Sequence, residues 1–175
     1  MLPGRQKSGR HPFTGISKPD LVLGVSAWAW EQYRKEIARK TNKTGKTAAE
    51  LFEKHLESFI DLYRNHRDLL RLNQQFNDYV RRESLPEDRM QPYKEVIDSL
   101  EERFKENYQR GKEDGTLRTD IPEKEMFSAT LHLMMAAATR YAVGLICDAG
   151  IDPEKELELL KDMLMQRFTV SGGSE

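Results

Sequence analysis

Apolar residues recur at spacings of three and four along nearly the whole chain, which is the period of an α-helix. No run alternates between apolar and polar positions, as a half-buried strand would. Caps and breakers divide the chain into six helical segments, at about residues 18–40, 47–64, 69–83, 88–113, 121–147 and 153–168. The pattern therefore predicts an all-α helical bundle of about six helices.

The segment boundaries carry recognisable signals. Thr47 and Glu50 form a capping-box pair, Asp120 is a candidate cap for the fifth helix, and Asp152 precedes a proline. Residues 1–16 contain three basic residues and no acid, and we interpret them as a disordered basic arm. Residues 17–169 are the predicted helical domain, and residues 170–175 a disordered tail.

Composition narrows the class of protein. Hydrophobic residues make up 38% and charged residues 33% of the 175 positions, as in a globular protein with a charged surface. The net charge of −1 gives no global basic field toward nucleic acid or an acidic membrane. Cys147 is the single cysteine, and no apolar run reaches the ~18 residues that span a bilayer. We expect a cytoplasmic protein without a membrane partner.

Motifs for catalysis or cofactor binding are absent from the sequence. The stretch KTNKTGKT has a lysine where a phosphate-binding loop needs its first glycine. The four histidines and Cys147 have no metal-ligand spacing. We expect no enzyme, no cofactor and no metal. His55 lies between Phe52 and Phe59 on an apolar stripe, as either a satisfied core histidine or a polar contact in a pocket.

The fifth and sixth helices carry apolar residues on two sides, which indicates a core and a second buried surface. Two such helices from each of two subunits would form a four-helix interface, the alternative being a buried central helix in a monomer. The sequence predicts a homodimer whose interface contains Phe127, Leu131, Met134, Ala138, Leu145, Leu157, Leu160, Leu164 and Phe168.

Aromatic residues occupy inward positions on successive helices, and buried tyrosine hydroxyls need partners. A plain core explains most of the aromatic residues. The mixture with amides is also typical of a ligand pocket. The predicted lining is Trp30, Phe59, Tyr63, Asn73, Phe76, Phe104 and Tyr108.

Residues 47–168 resemble the regulatory domain of the tetracycline-repressor (TetR/AcrR-type) family. The similarity lies in the helix order, the bend at His66, the GKEDGTLRTDIP stretch and the alanine- and methionine-rich helix after it. The segment SKPDL at Ser17 is similar to the family segment that ends the helix-turn-helix and opens the fourth helix. Only 16 residues precede Ser17, so we expect no complete DNA-binding head in this chain.

The resemblance implies a ligand-sensing and dimerisation domain of a transcriptional regulator. Its partners would be a second copy, a small amphipathic or aromatic effector, and DNA only if the complete gene product supplies the head. The alternative is a ligand-free dimeric helical adaptor. A helical enzyme has the least support.

Overall fold

The computed structural model describes residues 17–40, 46–144, 150 and 152–170. Within these ranges the chain forms six α-helices and one short 3-10 helix, Glu87–Met90, which confirms the predicted all-α bundle. The helices are α1 (Lys18–Lys40), α2 (Ala48–Asn65), α3 (Arg67–Glu83), α4 (Gln91–Asp114), α5 (Glu123–Val143) and α6 (Pro153–Phe168). None of these helices has the length and apolar character needed to cross a membrane.

Short-range polar contacts set several helix starts. The Thr47 hydroxyl accepts a hydrogen bond from the Glu50 N–H at 3.2 Å, and the Glu50 carboxylate accepts one from the Thr47 N–H at 2.7 Å. This is the predicted capping box. The Asp152 carboxylate accepts the Glu154 N–H at 3.1 Å and caps α6. Cap chemistry therefore fixes where α2 and α6 begin.

The fifth helix differs from its prediction at both ends. Asp120 does not cap it, because its carboxylate pairs with Arg118 at 2.6 Å and the helix begins after Pro122. The helix ends at Val143, where Gly144 takes a φ of +106° that side-chain-bearing residues rarely adopt. The predicted extension to Cys147 lies outside the described residues.

Helix α2 lies at the centre of the core and contacts α3, α4, α5 and α6. Its Phe52 and Leu56 are fully buried. The linker between α4 and α5 is fastened to the end of α6, since Arg118 N–H donates to Phe168 O at 2.8 Å and Val170 N–H donates to Thr116 O at 2.9 Å. Val170, the first residue of the predicted tail, is therefore held by the fold.

Helix α1 packs on α3 and α4 through one face. Leu23 and Trp30 are buried there. The opposite face of α1 also carries apolar residues, and they are exposed, with Leu21, Val25 and Trp28 at 55%, 45% and 65%. Within the described chain, α1 is thus buried on one side, because no helix covers its opposite face.

Candidate ligand cavity

A cavity of about 360 Å³ lies between α1, α2, α4 and α5; we call it the first cavity. Trp30, Phe59 and Phe104 of the predicted lining contribute to it. The complete lining is Trp30, Tyr33, Arg34, Ile37, Leu51, Lys54, His55, Ser58, Phe59, Leu62, Val96, Leu100, Arg103, Phe104, Glu106, Asn107, Gln109, Arg110, Glu113, Phe127, Leu131 and Met135. Four helices therefore line a space of ligand size.

Its apolar wall is a set of interlocking aromatic rings. The ring centroids of Phe104 and Phe127 lie 5.3 Å apart. His55 meets Phe59 edge-on at 5.2 Å and Phe104 at 5.7 Å. Leu131, which was predicted for the dimer interface, is half-buried and also lines this cavity. The wall offers stacking and edge contacts to an apolar or aromatic molecule.

The other four residues of the predicted lining lie elsewhere. Tyr63 packs edge-on against Tyr141 at 6.2 Å, and Phe76 packs on Tyr93 at 4.6 Å. Tyr108 donates its hydroxyl hydrogen bond to Ile121 O at 2.6 Å. These three rings are therefore part of the hydrophobic core. The fourth residue, Asn73, borders a different space, between α1, α3, α4 and α5.

Buried tyrosine hydroxyls find their partners within the protein. Besides Tyr108, Tyr33 donates to Ser58 O at 2.5 Å and Tyr93 donates to the Asn73 carboxamide oxygen at 2.9 Å. Burial, reinforced by the charge of Asp61, raises the pKa of Tyr33. For these three tyrosines the required partner is a protein oxygen and not a ligand.

His55 and Arg103 supply the distinctive polar chemistry of the first cavity. Burial, and secondarily the charge of Arg103, lowers the pKa of His55 to about 4, so the imidazole is neutral at pH 7. Its Nε2 is enclosed and has no hydrogen-bond partner in the described part of the chain. This placement favours the pocket interpretation of His55 over the satisfied core histidine.

Arg103 was not among the predicted site residues. It is half-buried, and burial together with the nearby charge of Arg34 lowers the pKa of its guanidinium. The signal was present in the sequence, because Arg103 follows Leu100 by three positions and Val96 by seven. This spacing places a cation on the apolar stripe of α4.

A second space, of about 780 Å³, lies between α1, α3, α4 and α5; we call it the second groove. It shares Trp30, Leu100, Leu131 and Met135 with the first cavity, so the two spaces adjoin. Asn73 of the predicted lining borders the second groove rather than the first cavity. Several of the groove's lining residues, such as Arg140, are exposed.

Three potential metal ligands meet where α1 approaches the bend between α2 and α3. Ligand atoms of Glu36, Asp61 and His66 all lie within 4.8 Å of one another. The Lys40 ammonium is 2.7 Å from the Glu36 carboxylate and 3.8 Å from that of Asp61. Its hydrogen bond is the main cause that lowers the pKa of Glu36. The Lys40 ammonium already lies beside both carboxylates, where a metal ion would bind. The group is therefore an ion-pair cluster that joins α1 to α2.

The residues predicted for the dimer interface are for the most part buried within one chain. Met134, Ala138 and Leu157 have no exposed surface, and Phe127, Leu164 and Phe168 are also buried. Leu160 is half-buried and packs against the same core, and Leu145 lies outside the described residues. A second copy cannot reach the buried side chains without opening the core, because α5 and α6 use these stripes against α2. The exposed large apolar residues of α5 and α6 are Leu133, Val143, Leu159 and Met163.

No protein-family model, no curated protein and no solved structure matches this chain. The similarity to the tetracycline-repressor family therefore remains an expectation from the sequence pattern.

Proposed function

We propose that this chain is the ligand-sensing and dimerisation domain of a tetracycline-repressor-type transcriptional regulator rather than an enzyme. Its effector is a small amphipathic or aromatic molecule bound in the first cavity. The observation that carries this proposal is a cavity of about 360 Å³ lined by four helices. Small-molecule sites occupy roughly 300–1,000 Å³ and combine an apolar wall with a few polar groups.

The cavity suits a sensor because α1 forms one of its walls. Trp30, Tyr33 and Ile37 of α1 face residues of α2, α4 and α5 across it. A ligand that fits one position of α1 better than another shifts the helix toward that position. A 100-fold preference corresponds to about 2.7 kcal/mol. In a complete regulator, α1 would pass this shift to a DNA-binding head.

Dimerisation is the second part of the proposal. On α5 the exposed face combines Leu133 and Val143 with the small residues Ala129 and Ala136. On α6, Leu159 and Met163 are four residues apart and exposed at 59% and 54%. Small and apolar side chains together allow close packing of a symmetry-related helix. These residues replace the buried set as the proposed interface.

A neutral fluorescent dye, N-phenylnaphthylamine, tests the cavity. Ser58 lines the first cavity, whereas Ser99 on α4 does not. Each hydroxyl donates to the carbonyl three residues earlier at 2.6 Å, so the two serines form a matched pair. We expect Ser58→Leu to fill the cavity and reduce dye binding strongly, and Ser99→Leu to bind like the wild type.

The adaptor alternative gives a different result. If the wild-type chain does not bind the dye, or if both leucine variants lose binding equally, the first cavity is not the ligand site. The exposed apolar residues of α1 and α6 would then point to a protein-binding function.

A further inference from the structure

Arg103 is a cation on the wall of the first cavity that makes no close pair with another described side chain. Among the described residues its guanidinium has no hydrogen bond or ion pair, although the charge of Glu106 acts on it. Other cations on the same wall are paired. The Arg34 guanidinium binds both carboxylate oxygens of Glu31 at 2.7 and 2.8 Å, and Lys54 binds Glu57 at 2.6 Å.

This arrangement is unfavourable for a protein without a ligand. Arginine keeps its charge at any ordinary pH, and a half-buried charge without a hydrogen-bonded counter-ion destabilises the fold. Burial and repulsion by Arg34 act on the guanidinium in the same direction. The charge of Glu106 offsets part of this effect. His55, being neutral at pH 7, provides no further counter-charge. An anion bound in the cavity next to Arg103 would offset this unfavourable free energy.

The surroundings of Arg103 restrict what the anion can be. Phe104, its neighbour on α4, packs against Phe127 and against the edge of His55, and Leu131 lies on the same lining. These groups offer apolar contacts and few hydrogen bonds. A small hydrated ion could use polar groups of the lining such as Lys54 and Asn107, but it would leave this apolar wall without a contact. A molecule with an apolar body and one acid group would satisfy both parts of the wall.

We propose that the ligand of the first cavity is an aromatic or alkyl carboxylate, whose acid group pairs with Arg103 and whose apolar body lies against Phe59, Phe104 and Phe127. This inference rests on the proposed function and specifies its ligand class. Arginine suits the role because its planar guanidinium binds both oxygens of a carboxylate.

Two ligands of the same shape, naphthylacetate and its neutral amide naphthylacetamide, separate the charge from the apolar contact. Calorimetric titration should give the wild-type chain at least about ten times higher affinity for the carboxylate, as a charged hydrogen-bonded pair provides. Arg103→Gln should remove that advantage and leave binding of the amide within about threefold. Arg103→Lys should restore part of the affinity advantage of the carboxylate over the amide.

Lys105→Gln is the matched control, since it removes a positive charge two residues away on α4 from a side chain that is 59% exposed and does not line the cavity. It should leave the carboxylate preference intact. A purely structural role of Arg103 would weaken both ligands together, whereas a pairing role weakens the carboxylate alone.

Two outcomes would contradict the inference and leave the proposed function standing. One is equal affinity of the wild type for carboxylate and amide. The other is that neither naphthyl ligand binds while N-phenylnaphthylamine still binds in a manner sensitive to Ser58→Leu. If the dye also fails to bind, both the inference and the proposed function are contradicted.

Discussion

The indole N–H of Trp30 donates a hydrogen bond to the carboxamide oxygen of Asn73 across 3.3 Å, joining α1 to α3. The same oxygen accepts the Tyr93 hydroxyl from α4 at 2.9 Å. Asn73 thus connects three helices through a single atom that uses both of its lone pairs. Trp30 also borders both the first cavity and the second groove. The position of α1 relative to the cavity consequently depends on a buried amide.

Asn73→Ala should lower the free energy of unfolding by about 2–4 kcal/mol, because it leaves two donors without an acceptor and opens a void. Asn77→Ala is the control: Asn77 is half-buried one turn later and its side chain makes no hydrogen bond among the described residues. Its cost should stay below about 1 kcal/mol. Urea unfolding measures both variants, and equal losses would contradict the role of Asn73.

The starts of α2 and α6 could be predicted because they depend on residues within four positions of one another. Thr47 with Glu50, and Asp152 with the N–H groups after it, cap their helices through local hydrogen bonds. The turn after α4 is equally local, since Gly115 takes the left-handed φ of +71°. The all-α class followed from the period of the apolar residues alone.

The residues that line the cavity could not be predicted from the local sequence, because helix packing decides them. A shift of one residue rotates a side chain by about 100° around its helix. Whether an inward aromatic meets a cavity or a neighbouring ring then depends on how helices pack. Phe59 and Phe104 face the cavity, but Phe76 packs on Tyr93 and Tyr63 meets Tyr141 edge-on.

Gly111 is predicted to be required where α4 meets the linker to α5. A Cβ at this position would lie 2.7 Å from the Leu117 Cβ, and Leu117 is held by bonds between the linker and α6. Gly111→Ala should therefore destabilise the fold by about 1–3 kcal/mol, despite the better helix propensity of alanine.

Gly24→Ala on α1 is the matched change, because nothing lies within 4 Å of its added Cβ. We expect it to stabilise the protein by up to about 1 kcal/mol. Thermal unfolding of the two variants should give shifts of opposite sign. A stabilising Gly111→Ala would show that Leu117 is free to move away.

His55 should make stability depend on pH in the mildly acidic range. Burial first, and Arg103 second, lowers its pKa from 6.5 to about 4 in the folded protein. Between these values the unfolded chain binds the proton and the folded chain does not. Stability is therefore complete above the unfolded pKa and falls as the pH drops toward 4, by roughly 2 kcal/mol between about pH 7.5 and pH 5.

The measurement compares urea unfolding of the wild type and His55→Gln at those two pH values. Contributions of the other titrating groups cancel in the difference between the proteins. The variant should lose roughly 2 kcal/mol less than the wild type on acidification. Identical losses would mean that the folded protein protonates His55 as readily as the unfolded chain does.

The last prediction separates association from folding on α6. Leu159 is 59% exposed, whereas Leu164 is buried at 6% in the core of a single chain. A glutamate at position 164 would place a charge in that core and should unfold the protein. A glutamate at position 159 should leave the monomer folded and weaken a dimer built on α5 and α6.

Leu21→Glu is the control, since Leu21 on α1 is exposed to a similar degree, 55%, and lies outside the proposed interface. Sedimentation velocity at micromolar concentration should therefore show a dimer for the wild type and for Leu21→Glu, and a folded monomer for Leu159→Glu. A monomeric wild type would remove dimerisation from the proposed function, and a dimer that survives Leu159→Glu but not Leu21→Glu would move the interface to α1.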